Sequence, residues 1–465
     1  GSELATRLDA FKRWYSQAGT PCVKAQGEYD ATAQTYTLTL SQSCPATPGQ
    51  PSKLPFVIPV ELGLLAQDGS ALPLQMDGET APGASTRTVV LDATSLTLRF
   101  IGVASAPVPS LLRSFSAPVR LDYAYTDAEL LTLLAHDTDA FNRWEAGQRL
   151  MLRCAINAIA ASADASSAGG TLDAEIMDAD LLAALRRTLR DPQLDAAYKE
   201  LVLSLPSESY LAEQLDVVDP QRVHAVREAM RLQLATALRG DWEAAYEASH
   251  DTGAYQPDAA SAGRRALAGQ ALSMLCLAAQ HTGDAVWPGK TLKRFKDAGN
   301  MTDRFAALAA LVGSGHPHAA AALARFHALF KDDALVIDKW FALQAGTPDR
   351  GGNVLPAVQA LMKHPDFHLS NPNRARSLIF SYCSANPGAF HRADGAGYRF
   401  WVERVLALDA INPQVAARLA RALDRWSKLA EPWRSAAQAA IAQVAGHAKL
   451  SKDVREVVTR ALETP

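Results

Sequence analysis

Thr126-Asp127-Ala128-Glu129-Leu130-Leu131-Thr132-Leu133-Leu134 is the stretch on which the reading of this chain turns. Thr126 followed three residues later by Glu129 has the form of a capping box, in which each side chain satisfies the other's backbone N–H at a helix start. Leu130, Leu131, Leu133 and Leu134 follow at helical spacing. Upstream the chain reads as strands. Eleven of its 25 prolines fall before Tyr123, in about a quarter of the length. Tyr36–Leu40 alternates apolar and polar residues, as a half-buried strand does. Phe56–Leu62 is a second strand, with Pro59 placing it near an edge or bulge. Asp68-Gly69 between Leu62–Leu65 and Leu72–Leu74 predicts a hairpin. Thr86–Leu91, Leu96–Ile101 and Phe115–Tyr123 complete the set. Short strands separated by turn residues predict a small immunoglobulin-like β-sandwich over 22–124.

Downstream, Ala, Leu and Arg dominate to Leu462, all good helix formers. Breaks recur at Ser166–Gly170, Asp191-Pro192, Asp219-Pro220, Gly283, Gly313–Pro317, Gly346–Gly352 and Asn386–Gly388. Roughly sixteen to eighteen helices fit, and short loops make them antiparallel neighbours. No strict repeat period is present, so 125–465 reads as an irregular armadillo/HEAT-like α-solenoid. The fold class is therefore mainly α with a small all-β domain. Leu4–Gln17 forms an amphipathic helical stretch ending at Gly19-Thr20-Pro21.

Composition narrows the function. The chain has 465 residues and a net charge of −3, which argues against nucleic acid and anionic membranes as partners. No run of about 18 apolar residues occurs, so no transmembrane helix is expected. The cysteines are Cys22, Cys44, Cys154, Cys276 and Cys383; their odd number and the lack of C-x-x-C predict reduced thiols, Cys22–Cys44 being the one pairing weighed. The start at Gly1-Ser2 is expected to be the scar of a removed tag.

Motifs with chemistry are few. No His is followed by Glu, so the sequence contains no H-E-x-x-H. Gly395-Ala396-Gly397-Tyr398 lacks the third glycine of a dinucleotide loop, and neither a nucleophile elbow nor a phosphate-binding P-loop is present. His316-Pro317-His318, with His327 nearby, reads as surface histidines rather than a metal site. No pair of carboxylates stands out as a glycosidase would require. Asn412-Pro413 and Asn371-Pro372 each place a capping Asn before a first-turn Pro. At about 100° per residue, Gln414, Arg418, Arg421 and Arg425 fall in a stripe of roughly 60°. Val415, Leu419, Ala422 and Trp426 form a separate apolar face. The stripe suits an anion or a peptide carbonyl; a solvated basic face is the other reading. On the earlier helix Ala375, Leu378, Ile379 and Tyr382 make the core face, with Arg376 at its flank. Trp340 and Phe341 read as core, and Asp338-Lys339 as an exposed or structural pair.

Three segments carry a resemblance: Asn371-Pro372-Asn373-Arg374-Ala375-Arg376-Ser377, Asn386-Pro387-Gly388-Ala389-Phe390-His391, and Asn412-Pro413-Gln414-Val415-Ala416-Ala417-Arg418. Together with Arg13–Pro21, Asn300–Asp303 and Ile337–Ala345, they make the chain resemble the C-terminal region of the bacterial aminopeptidase N family, zinc peptidases of the gluzincin class. Ala375 departs from the larger apolar residue expected there. The resemblance implies that 1–21 is the helical end of a catalytic domain plus linker. It also implies that the zinc ligands, the water-activating Glu and the amine-binding segment lie in other domains of the same chain. This part would then hold no catalytic residue and no metal of its own; zinc would belong to the parent enzyme. Its implied task is to roof the active-site cavity and control peptide access, with Gln414, Arg418 and Arg376 lining the cavity. A cytoplasmic, monomeric parent is the family expectation. The alternative is a stand-alone α-solenoid presenting a concave surface to a protein partner.

Overall fold

Among the described residues the chain forms seven strands: β1 (Cys22–Asp30), β2 (Thr35–Ser43), β3 (Ile58–Leu65), β4 (Thr86–Leu91), β5 (Ser95–Ile101), β6 (Val108–Leu111) and β7 (Arg120–Asp122). The computed structural model describes residues 8–164, 175–250 and 253–463. One sheet has the order β5-β2-β1-β7 and the other β4-β3-β6. The β1–β7 pair is parallel and the remaining pairs antiparallel. Leu38 faces Leu98 and Tyr36 faces Phe100 across the β2–β5 ladder. These side chains close on Ile58, Val60 and Leu62 of the other sheet in one buried core. Trp14, on the short helix Arg13–Ser16, packs its ring 4.8 Å from Phe56 and donates to the Val57 carbonyl at 3.0 Å.

Three strand expectations change in detail. Cys22–Asp30 is a full strand beyond those expected, with Val23, Ala25 and Tyr29 alternating with Lys24, Gln26, Glu28 and Asp30. The Asp68-Gly69 turn forms, but pairing beyond it stops at an isolated bridge between Leu65 and Ala71. Phe115–Tyr123 shrinks to β7, because Leu112, Ser114 and Phe115 adopt left-handed backbone, at φ 55°, 56° and 50°. That strained turn is held by a buried network. Arg113 donates to Asp137 at 3.2 Å and to Thr138, and Ser110 donates to Asp137 at 2.6 Å.

The capping box at Thr126 is present, Glu129 N donating to Thr126 Oγ1 at 3.2 Å and Thr126 N to the Glu129 carboxylate at 2.8 Å. From there the chain is an armadillo/HEAT-like helical solenoid. Its members include Asp127–His136, Ala140–Asp164, Ala179–Arg190, Pro220–Ala237, Ala259–Thr282, Ala334–Ala345, Ala396–Asp409 and Pro413–Ala420. The 24-residue helix Ala259–Thr282 packs against five others. Expected break points hold: Gly283 ends a helix with left-handed backbone, and Pro220, Pro372, Pro387 and Pro413 each open one behind an Asp or Asn cap. The break expected at Ser166–Gly170 and the start of the first helix at Leu4 lie outside the described residues. By internal packing the chain forms two compact units, Gly1–Met151 with Ala179–Asp191, and Leu152–Asp178 with Pro192–Pro465. No described helix is long and apolar enough to cross a membrane.

Candidate functional site

The helical unit contains an open cleft of about 630 Å³, built from three capped helix starts. At the first, Asn371 accepts from the Asn373 and Arg374 amides, so the direction of the following helix is set locally. Arg374 turns inward: it is buried, paired with Asp338, and donates to the Ala334 and Asp366 carbonyls at 2.9 Å. The Asp338 half of the Asp338-Lys339 pair is thus structural. The helix then widens into one π-turn over Arg376–Phe380, and Arg376 faces outward into the cleft.

At the second start, Asn412 accepts from the Val415 amide at 3.2 Å, and Val415 and Leu419 are buried as the spacing requires. Buried Trp401 donates to the Leu419 carbonyl at 3.0 Å, anchoring the backbone beside Arg418. Arg418 is exposed and lines the cleft. Gln414 is also exposed but is not among the lining residues. The regular helix stops at Ala420 and gives way to 3-10 turns at Arg421–Leu423 and Trp426–Lys428. The stripe extrapolated at a constant helical pitch therefore ends there. The turns still bring Arg421, Arg425 and Lys428 to the cleft. Trp426, donating to the Ala461 carbonyl at 2.8 Å, pins them.

The third start brings Pro387 and His391 to the cleft lining, beside Glu208. Asn386 caps Pro387–Phe390 and donates to the Ala345 and Thr347 carbonyls at 2.9 and 2.8 Å. Glu208 accepts from the Gly388 amide at 3.1 Å and bonds His224 Nδ1 at 2.7 Å. A Cβ on Gly388 would stand 2.5 Å from the His224 ring, so only glycine fits this approach. Gln221 donates to the Gly388 and His391 carbonyls at 2.9 and 2.7 Å. The hydrogen bond from Glu208 raises the His224 pKa against the opposing cost of burial. Burial pushes His391 down to about 4, so its imidazole, bonded to Tyr398 Oη at 2.7 Å, is neutral near pH 7.

The charge inventory is lopsided. Arg376, Arg418, Arg421, Arg425 and Lys428 line the cleft against one carboxylate, Glu208. Glu208 is committed to His224, and Arg425 pairs with Glu213 at 2.7 Å. Among the described residues no salt bridge engages Arg376, Arg418 or Arg421. Guanidinium groups left this way offer planar, bidentate donors to carboxylates and peptide carbonyls. Among the described residues of the cleft, no Ser or Cys is hydrogen-bonded to His391 or Glu208. Arg376 and Arg418, named from the sequence, both line this cleft, while Glu208 at its edge and the Gln221 and His224 that brace it lie more than 150 residues earlier and carry no local signal.

An Ig-like sandwich joined to an armadillo-type array with a basic cleft is a recognisable domain pair. Residues 19–124 match the family described as a domain of unknown function (DUF3458) with Ig-like fold. Residues 127–463 match its companion, a domain of unknown function (DUF3458_C) with ARM repeats. The chain belongs to this family, in the arrangement found in the C-terminal region of bacterial aminopeptidase N. It is 37% identical over 457 residues to aminopeptidase N of Escherichia coli, covering 98% of this chain and 50% of the relative. Aminopeptidase N of Caulobacter vibrioides is 38% identical over 455 residues, with the same coverage. Aminopeptidase A of Legionella pneumophila, solved with aspartic acid, superposes with a TM-score of 0.79 at 26% identity, covering 98% of this chain and 50% of that one. The chain thus spans about half the length of the curated relatives it matches.

Proposed function

We propose that this chain is the non-catalytic region of a zinc-dependent aminopeptidase N, and that its helical unit roofs the substrate cavity. The parent would remove N-terminal residues from peptides. Its zinc, with the ligands and catalytic Glu, would be held by other domains, since none of the 11 histidines here is followed by Glu. The observation that supports the reading is the meeting of Arg376 and Arg418 on one cleft, without acidic partners among the described residues. Such a surface holds peptide carbonyls or carboxylates and leaves the chemistry to the domain beneath. A roof also excludes folded proteins and water, which strengthens polar contacts in the cavity. In this reading Gln414 completes the lining once the other domains are in place. The free thiols of Cys22, Cys44, Cys276 and Cys383 favour a reducing, cytoplasmic setting.

The test is peptide kinetics of Arg418→Ala in the full-length parent. Loss of one charge-assisted hydrogen bond should cost about 1–3 kcal/mol in kcat/KM for peptides of several residues. An alanyl chromogenic substrate, too short to reach the roof, should be less affected. Equal kcat/KM for wild type and variant across all peptide lengths would remove the roof from substrate binding and leave a scaffold that presents its cleft to a protein partner.

A further inference from the structure

Three side chains far apart in sequence meet elsewhere in the helical unit. His327 lies on the helix Ala319–Phe330, while His364 and Asp366 follow the helix Val354–Leu361. His327 Nε2 stands 2.5 Å from Asp366 Oδ2, and His364 Nδ1 stands 3.8 Å from the same oxygen. One ligand atom from each lies within 4.8 Å of the others, in the one cluster of this kind among the described residues. The sequence pairs His327 with His316 and His318; the structure gives it different partners.

The cluster is held before any ligand arrives. Trp340 forms a wall against both imidazoles, its ring 5.0 Å from His327 and 5.3 Å from His364. Phe341 meets the His364 ring edge-on at 5.8 Å. Arg374 grips the Asp366 carbonyl at 2.9 Å, and the Phe367 amide closes a turn on the His364 carbonyl at 2.9 Å. The three side chains remain 22%, 26% and 35% exposed, so the open side faces solvent.

We propose that His327, His364 and Asp366 form a three-ligand site for one divalent transition-metal ion, with Zn²⁺ the probe of choice. Two imidazoles and a carboxylate suit zinc, nickel or copper rather than magnesium or calcium. In a tetrahedral zinc shell neighbouring ligand atoms lie about 3.4 Å apart, from bond lengths of about 2.0–2.2 Å. The observed 2.5 and 3.8 Å separations reach that value by shifts of less than about 1 Å, and the widest pair, within 4.8 Å, by about 1.4 Å, all within side-chain rotation. The metal takes the place of the proton shared by His327 and Asp366. His364 Nδ1 gives up the 3.2 Å bond it accepts from the Asp366 amide. Water fills the fourth position. Binding ties the helix of His327 to the loop after Leu361 and so stabilises the folded state by mass action.

The experiment is calorimetric titration of the whole chain with ZnCl₂, alongside Asp366→Asn and His327→Gln, two near-isosteric changes, and a His316→Ala/His318→Ala control. The expected result is one equivalent bound, weakened at least about tenfold in each ligand variant and unchanged in the control. Zinc should also raise the melting temperature of the wild type but not of Asp366→Asn. No saturable binding, binding that survives both ligand changes, or binding lost in the control would overturn the site and reduce the cluster to a His–Asp hydrogen bond on Trp340. The proposal stands apart from the roof reading, and its failure would leave that reading untouched.

Discussion

Two arginine sites, one in each unit, are built in opposite ways. In the first, Arg113 is buried and paired: it bonds Asp137 and Thr138, while Ser110 and Asn142 complete the network. In the second, Arg376, Arg418 and Arg421 face an open cleft with no salt bridge among the described residues. The contrast recurs within a single helix turn, where Arg374 is buried on Asp338 and Arg376, two residues on, is exposed. Arginine that holds a fold brings its carboxylate with it. Arginine kept without one costs nothing in burial and remains available to a ligand.

Breaking the buried network should produce the largest effect. Burial pushes the Asp137 carboxyl above the ordinary carboxylate range despite its bonds to Ser110 and Arg113, so this ion pair is expensive to keep. Removing Arg113 leaves that carboxylate buried and uncompensated, and Arg113→Ala is expected to destabilise by about 3–5 kcal/mol. The same change also frees the left-handed turn at Leu112–Phe115. Urea unfolding of the first unit's transition checks this; a loss below 1 kcal/mol would show that the network is ornamental.

The wall of the cleft should respond to pH. His391 has a folded pKa of about 4, below its ordinary 6.5, so the unfolded chain takes up a proton that the folded chain refuses. Stability from this group is intact above pH 6.5 and falls as pH drops toward 4. At pH 5 the loss is about 2 kcal/mol by linkage. His224 works in the other direction, because its raised pKa adds stability below its ordinary value and loses it as pH rises. His391→Gln should therefore flatten the acid side of the profile, measured as urea midpoints at pH 7 and pH 5. An unchanged pH 5 deficit would assign that deficit to other groups. On the same wall, Gly388→Ala should cost about 1–3 kcal/mol through the clash with His224. A neutral result there would mean that Glu208 and His224 can move aside.

How far the sequence led depends on whether a signal was local. The capping box at Thr126 and the Asn-Pro starts at 371 and 412 were legible because a cap and a proline act within three residues, and Asn386–Gly388 was legible as a break. β1 gave only a weak signal: Val23, Ala25 and Tyr29 do alternate with Lys24, Gln26, Glu28 and Asp30, but only Val23 and Ala25 are buried and both are small. The arginine stripe was half legible. Arg418 sits where the helical period puts it, but Arg421 and Arg425 reach the cleft through tightened turns that no constant pitch describes. The Glu208 side of the cleft was invisible, since the hydrogen bond from Gly388 to Glu208 spans 180 residues.

The smallest expected effect on folding belongs to the cleft arginines, and it separates the two uses most sharply. Arg376→Ala/Arg418→Ala in the full-length parent should leave the urea midpoint within about 0.5 kcal/mol of wild type, as exposed changes do. In the same preparation kcat/KM for a peptide of several residues should fall by at least about tenfold, the equivalent of 1.4 kcal/mol. A variant with full peptide activity, or one whose activity falls only in step with lost stability, would contradict the claim that these arginines are kept for a ligand.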